Sequence, residues 1–375
     1  MAKVEKLTRA ELPGGSSHPV HQQPCPHICR EIERPLQGWS PVHQPEPAPR
    51  LELTPYIGCV AGCGFCFLNG YPGLYRLGQE DKLITVYKNY PHHLKKTLEK
   101  LRVAPPAILS PYTDPFQPIN DRYGLAEELV KECVLVNLPL EIITRYHIPD
   151  EILAMMEYLP ASRVQVSIDP FEREGPVPHY RERLDFMERI DQLGLDVVVR
   201  LDPIFPGEEN PEGVLANMAS EIARRGLDQV VIGFGRINSN LHSRFVEPAP
   251  ELYEKHPDRD NCWLVASGER RRLSKLAKGI FSSRRINIGI LGFSSLQEEF
   301  GDFKTPFKNT LPLNERESSG EKFQPVERCP GNCRVCSESV CGIGRLFESP
   351  YRAERLKASD WERWSEQRLQ GELLN

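Results

Sequence analysis

The chain has 375 residues, 39 % of them hydrophobic and 26 % charged, with a net charge of −5. This length accommodates one large α/β domain of about 200–250 residues with additions, and the composition is that of an ordinary globular protein. A local basic groove aside, the acidic balance gives no bulk attraction for nucleic acid. No apolar run approaches the ~18 residues of a membrane span, and the N-terminus "MAKVEKLTRAELPGGSS" lacks the apolar core of a signal peptide. A cytoplasmic protein with no membrane partner is expected.

Residues 1–50 are rich in Pro, His, Gln and charge, without helical or strand period, and are expected to form an irregular N-terminal arm. From Leu51 the chain alternates between short β-type runs and amphipathic helices. The runs are "LELTPYIG", "AILS", "LEIITR", "RVQVSID", "DVVVRLDPI", "QVVIGFG" and "INIGIL". "PHHLKKTLEKL" places Leu94, Leu98 and Leu101 on one helical face. "RERLDFMERIDQLG" does the same with Leu184, Met187 and Ile190, and Gly194 is its stop. "EGVLANMASEIARRG" and "RRRLSKLAKGIF" share that period. Strand–helix–strand alternation implies right-handed crossovers and a parallel sheet. The expected fold is α/β, a partial (β/α)6-type parallel barrel over 51–300, with its active site in the loops after the strand C-termini. Residues 301–375 form a C-terminal extension: a polar loop, then "CPGNCRVCSESVCG", then a charged, Trp-containing helical pattern.

Seven of the eleven cysteines fall in two tight clusters. Without a secretory signal, that clustering points to metal rather than to disulfides. The first, "GCVAGCGFC", holds Cys59, Cys63 and Cys66 directly after the first strand. Its glycines let a short backbone wrap closely round something compact. A structural zinc site wants four ligands, and a catalytic cysteine wants one thiol and a base. Three thiolates can hold three irons of a [4Fe–4S] cluster and leave the fourth open for a small molecule. The plainer alternatives are a zinc knuckle or coincidentally buried cysteines.

The C-x3-C-x2-C spacing, with Phe65 before the third cysteine and a β/α chain around it, resembles the radical S-adenosylmethionine superfamily. "SPYTDPFQPIND" after the second strand, "IITRYH", "VQVSID" and "VVVRLDPIFPG" resemble the branch of spore photoproduct lyase. The resemblance implies a [4Fe–4S] cluster on Cys59, Cys63 and Cys66, S-adenosylmethionine on its open iron, and a 5′-deoxyadenosyl radical. It also implies an electron-donating partner such as flavodoxin or ferredoxin. By position, Thr113 and Asp114 would hold the cofactor's amino group. Arg145 stands where the family has a lysine for its carboxylate. Ser167 lies near the cofactor, and Phe65 would supply a backbone contact to the adenine. Strand-end hydroxyls often bond the backbone instead, which is the plainer role for Thr113 and Ser167. An Asp before Pro, as in "TDPF", commonly caps a turn. One departure matters: the lyases' hydrogen-donor cysteine is here Pro111, which has no thiol hydrogen.

The second cluster, Cys329, Cys333, Cys336 and Cys341, can saturate a second [4Fe–4S] cluster or a zinc ion, and its C-x3-C-x2-C opening favours iron–sulfur. "CPHIC" (Cys25, His27, Cys29) is read as unligated, and Cys133 as core on an apolar helix face. The expected activity is radical hydrogen abstraction from a small molecule or peptide, with no catalytic side chain assigned. Repair or modification of a nucleic-acid base is an alternative, as is a non-catalytic, zinc-stabilised α/β binding protein.

Overall fold

The computed structural model describes residues 8–11, 17–32, 51–66, 83–100, 103–104, 106–159, 161–171, 175–207, 210–256, 260–290, 314–315, 322 and 324–325. Cys329, Cys333, Cys336, Cys341 and the charged C-terminal pattern lie outside the described residues. The centre of the molecule is a sheet of seven strands: β1 (Leu51–Leu53), β2 (Ala107–Leu109), β3 (Leu140–Thr144), β4 (Arg163–Ile168), β5 (Asp196–Ile204), β6 (Gln229–Phe234) and β7 (Asn287–Ile290). They lie side by side in chain order, and every neighbouring pair is parallel.

Among the described residues, a helix of seven residues or more follows each of the first six strands: α1 (Tyr90–Lys100), α2 (Leu125–Leu135), α3 (Asp150–Met156), α4 (Tyr180–Gln192), α5 (Pro211–Arg224) and α6 (Ser267–Ser282), with single-turn helices Asn120–Tyr123 and His242–Phe245 beside them. Strands and helices alternate around this parallel sheet, consistent with a partial (β/α) barrel. The helices form where periodicity and end signals agree. Leu184, Met187 and Ile190 of α4 are fully buried, and Gly194 stops the chain at φ +82°, a conformation that costs glycine little. In α5 the Asn210 side chain accepts from the Gly213 N–H at 3.0 Å, with Pro211 in the first turn.

Alternation along the strands gives the sheet two unlike faces. Ile142, Val164, Val166, Val197, Val199, Val230 and Ile232 join Leu184, Leu215 and Ile222 of the helices in one apolar core. The residues that alternate with them are buried as well: Glu141, Arg163, Gln165, Ser167, Asp196 and Gln229 are polar, and Val198 and Val231 form a small apolar pair among them. This second face, the inner face, carries polar groups from the strand N-termini (the bottom) to the C-termini (the top).

Within the first fifty residues, the described ones depart from the irregular arm expected there. Among those described, Thr8–Glu11 pairs antiparallel with Ser17–Val20. His27–Arg30 runs parallel beside Ile84–Tyr87, which pairs in turn with Tyr56–Ile57. Strand His27–Arg30 forms because Ile28 is buried against Val20 and Leu83, a single apolar anchor too slight to read as a period. "CPHIC" is therefore ordered here. His27 Nε2 lies 2.8 Å from the Tyr123 hydroxyl, which also lies 3.1 Å from Cys29 Sγ. Cys133 is buried on α2 as expected.

Candidate active site

The cysteine loop leaves strand Tyr56–Ile57 through Gly58 at φ +95°, and a Cβ there would meet the Leu83 carbonyl oxygen at 3.0 Å. The turn closes with the Cys66 N–H donating to the Cys63 carbonyl at 3.1 Å and the Ala61 N–H donating to Cys59 Sγ at 3.4 Å. The three thiols are half-buried. Burial, reinforced by nearby Asp114 and Cys63, pushes the Cys59 thiol above its ordinary range.

Four groups brace this loop. Gln117, fully buried, accepts from the Val60 N–H at 3.1 Å and donates to the Gly58 carbonyl at 3.0 Å. It satisfies two loop backbone groups that otherwise have to be paired elsewhere. Gly175, after β4, packs so tightly that a Cβ would sit 2.0 Å from the Ala61 carbonyl oxygen. The Tyr146 hydroxyl donates to the Pro176 carbonyl at 3.1 Å, fastening the same segment. Burial first, then the charges of Cys59, Asp114, Cys63 and Cys25, pushes the Tyr146 phenol upward. Arg244 donates to the Gly64 carbonyl at 3.3 Å. Gln117 and Tyr146 belong to stretches that sequence reasoning singled out, "SPYTDPFQPIND" and "IITRYH"; Gly175 and Arg244 do not.

Asp114 is buried after β2. Its Oδ1 accepts from the Phe116 N–H at 3.0 Å and the Thr144 hydroxyl at 2.9 Å, and its Oδ2 from the Arg145 N–H at 2.6 Å. It therefore does cap its turn, and it also ties the end of β2 to the end of β3. Burial raises its pKa, and these bonds oppose the rise. Thr113 donates to the Tyr56 carbonyl at 2.9 Å, which holds the strand leading into the loop. The Arg145 guanidinium lies 5.3 Å from the centre of the Phe65 ring, and Nη2 donates to the Asp202 carbonyl at 3.2 Å. Ser167 is on the inner face of β4, opposite Arg200 in the register with β5, and its hydroxyl makes no hydrogen bond among the described residues. Phe65, Phe205 and Phe245 form an aromatic row with centroids 6.4 and 4.3 Å apart.

The structure thus gathers Cys59, Cys63, Cys66, Phe65, Thr113, Asp114, Arg145 and Ser167 at the top of the first four strands and the loop beside them. The second cysteine cluster lies outside the described residues. Among the described residues, no three His, Cys, Asp or Glu side chains are gathered tightly enough to hold a single metal ion. The loop's donor set, three thiols from one turn, fits a thiolate-ligated cluster with one open position better than four-coordinate zinc.

Sequence reasoning missed Arg200 and Asp202. They alternate within "VVVRLDPI", and charge at i and i+2 in an apolar strand run is the signal of a polar inner face. No helix among the described residues is long and apolar enough to cross a membrane.

No protein-family model matches the sequence. The chain is 26 % identical over 245 residues to a radical SAM Nα-GlyT isomerase of Pseudomonas phage M6, a match covering 59 % of this chain and 50 % of that protein. It is 26 % identical over 206 residues to an uncharacterised protein of Acidianus two-tailed virus, covering 50 % of this chain and 66 % of the other. The chain thus spans half the length of the isomerase and about two thirds of the viral protein. Among solved structures, spore photoproduct lyase complexed with dinucleoside spore photoproduct superposes with a TM-score of 0.55 at 15 % identity, over 70 % of this chain and 81 % of the lyase. At that identity the likeness concerns the fold.

Proposed function

The chain is one of the radical S-adenosylmethionine proteins, with a fold like that of spore photoproduct lyase, and from that premise we propose that it belongs to the lyase-like branch and abstracts a hydrogen atom from a small-molecule or peptide substrate. The observation that carries the reading is the meeting, on one rim, of a braced three-thiol loop with Asp114, Arg145 and Ser167. When bound, a [4Fe–4S] cluster on Cys59, Cys63 and Cys66 with S-adenosylmethionine supplies one-electron cleavage and a 5′-deoxyadenosyl radical.

The chain's own part is to hold and orient. Gln117 and the Gly175–Pro176 segment fix the loop, so the three sulfurs keep their places. Arg145 offers a guanidinium fork to a carboxylate. Asp114 aligns Arg145 through its backbone N–H and supplies negative charge for an ammonium group. Ser167 offers a hydroxyl from the neighbouring strand. The partial (β/α)6 barrel over 51–300 carries this site. The extension over 301–375 would hold a second [4Fe–4S] cluster on Cys329, Cys333, Cys336 and Cys341, a reading supported by their spacing alone. A flavodoxin- or ferredoxin-type reductase in the cytoplasm would deliver the electron. A small-molecule or peptide substrate is favoured over a nucleic-acid base by the acidic net charge and by proline at position 111. The match to a protein named a radical SAM Nα-GlyT isomerase supports radical rearrangement chemistry.

Anaerobic reconstitution tests the reading. About eight irons per chain are expected, from two cubanes, and replacing Cys59, Cys63 and Cys66 together by Ala should leave about four. Reduced wild-type protein should release 5′-deoxyadenosine from S-adenosylmethionine without substrate, and Cys63→Ala should release none. Equal release from both proteins would refute radical initiation at this loop. One zinc in place of four irons would refute the second cluster.

A further inference from the structure

Asp202, on β5, is held in an unusual way. The β5–β6 register shifts between Leu201 and Ile204, an irregularity of the kind that re-aims a side chain. The carboxylate lies over Gly233 of β6, where a Cβ would come within 2.4 Å of Oδ1. Only glycine leaves room for it. Arg200, two residues back on the same face, grips the other oxygen with two donors, Nε at 3.0 Å and Nη2 at 2.7 Å, both to Oδ2. Arg200 is itself fixed by Nη1 donating to Gln165 Oε1 at 3.0 Å. The result is a carboxylate with one oxygen clamped. Its other oxygen, Oδ1, accepts no hydrogen bond among the described residues.

The location matters as much as the spare acceptor. Asp202 is 26 % exposed, whereas the polar groups at the bottom of the same face are sealed. Its backbone carbonyl accepts from Arg145, whose guanidinium also lies over Phe65 of the cysteine loop. Asp202 therefore stands one side chain from the proposed cofactor subsite, at the open end of the inner face. An ionised carboxylate is an acceptor only, and a bond from a charged donor is roughly twice as strong as one from a neutral donor. We infer that Asp202 is a specificity-determining residue whose Oδ1 receives an amino group of the substrate, with Arg200 as the positioning residue that aims it. The inference rests on the proposed function for the place of the substrate, and it adds the class: a small molecule bearing a free amine.

Three amides that differ at one position probe this: glycinamide, its hydroxyl analogue glycolamide, and N-acetylglycinamide. Their binding to anaerobically reconstituted, S-adenosylmethionine-loaded protein is followed by ligand-observed NMR. Glycinamide should bind about tenfold more tightly than the other two, the size of one charge-assisted bond. Asp202→Asn keeps the shape, removes the charge, and should bring the ratio to about one. Arg200→Lys keeps a cation but loses the two-donor grip, and should fall between. Iron content and S-adenosylmethionine affinity are measured on each variant. Equal binding of the three amides by wild type overturns the assignment, as does a preference that survives Asp202→Asn. Weakened S-adenosylmethionine binding in Asp202→Asn also overturns it, because the carboxylate then belongs to the cofactor subsite. Failure of the radical reading shows up separately, as wild-type protein that releases no 5′-deoxyadenosine.

Discussion

The two ends of the inner face are built from the same residue types and used differently. At the bottom, Arg163 Nε donates to Asp196 Oδ2 at 3.0 Å, and its Nη1 stands 3.6 Å from Glu141 Oε1. Gln229 donates to Asp196 Oδ1 at 2.8 Å, and Gln165 donates to Glu141 Oε1 at 2.7 Å. All of these side chains are buried, and both carboxylates have their charge and acceptors answered. At the top, Arg200 and Asp202 are 14 % and 26 % exposed, and an acceptor is left over. A saturated network can only support the fold. A network with a spare, aimed acceptor can hold a ligand. This matches the general division of such sheets, with stability at the N-terminal end of the strands and chemistry at the C-terminal end.

The strongest way to break the comparison is Arg163→Met. It keeps much of the volume and leaves Asp196 and Glu141 buried without their cation. Removing one partner of a buried pair costs about 3–5 kcal/mol, so a large fall in denaturation midpoint is expected, with S-adenosylmethionine affinity retained by the folded protein. Arg200→Met should cost far less stability, because water reaches that pair. Equal losses at the two arginines would erase the distinction between the ends.

Gln117→Leu sharpens the comparison at the top rim. The side chain keeps its bulk, but the Val60 N–H and Gly58 carbonyl lose their buried partner, at about 1–3 kcal/mol for each group left unpaired. Because both groups belong to the cysteine loop, iron per chain should fall along with the melting temperature. A lowered melting temperature with full iron would make Gln117 a general core residue and not a brace of the loop.

Much of this could be read from the sequence, and the misses share a cause. The seven strand runs, the helix faces and the stop at Gly194 were legible because periodicity and end signals are local. Cys59, Cys63 and Cys66 were legible because their spacing is compact. Roles set by distant contacts were not. Gln117 lay inside a quoted motif, yet its partners Gly58 and Val60 are nearly sixty positions away. Gly175 reads as an ordinary loop glycine until its contact with Ala61 is seen. Strand His27–Arg30 was hidden because a four-residue strand with one buried aliphatic shows no period. The inner face left a legible trace, since Arg163 and Gln165, like Arg200 and Asp202, sit two apart in otherwise apolar runs. What that trace did not disclose was which end is sealed. That depends on how neighbouring strands bring Asp196, Glu141 and Gln229 to Arg163.

The smallest expected effect asks whether burial, rather than position at the bottom, sets the energy. At the C-terminal end of α5, Arg225 donates to Glu221 at 2.6 Å and to Asp185 of α4 at 2.7 Å, while Arg224 reaches Glu221 at 3.1 Å. The hydrogen bonds from Arg225 and then Arg224 hold the Glu221 carboxyl below its ordinary range. For an acid whose pKa is depressed on folding, the stabilisation is fully present above the ordinary carboxylate range and is lost as pH falls through the folded value. Glu221 is 19 % exposed and Asp185 63 %, so solvent screens the cluster, and Glu221→Gln should cost only about 0.3–0.5 kcal/mol near neutral pH. Denaturation of wild type and variant should therefore differ slightly at neutral pH and converge in acid, where Glu221 is protonated in both states of the wild type. A gap that persists in acid would mean that the glutamate acts through shape. A neutral-pH loss as large as that of Arg163→Met would mean that burial is not what separates the sealed network from the rest of the molecule.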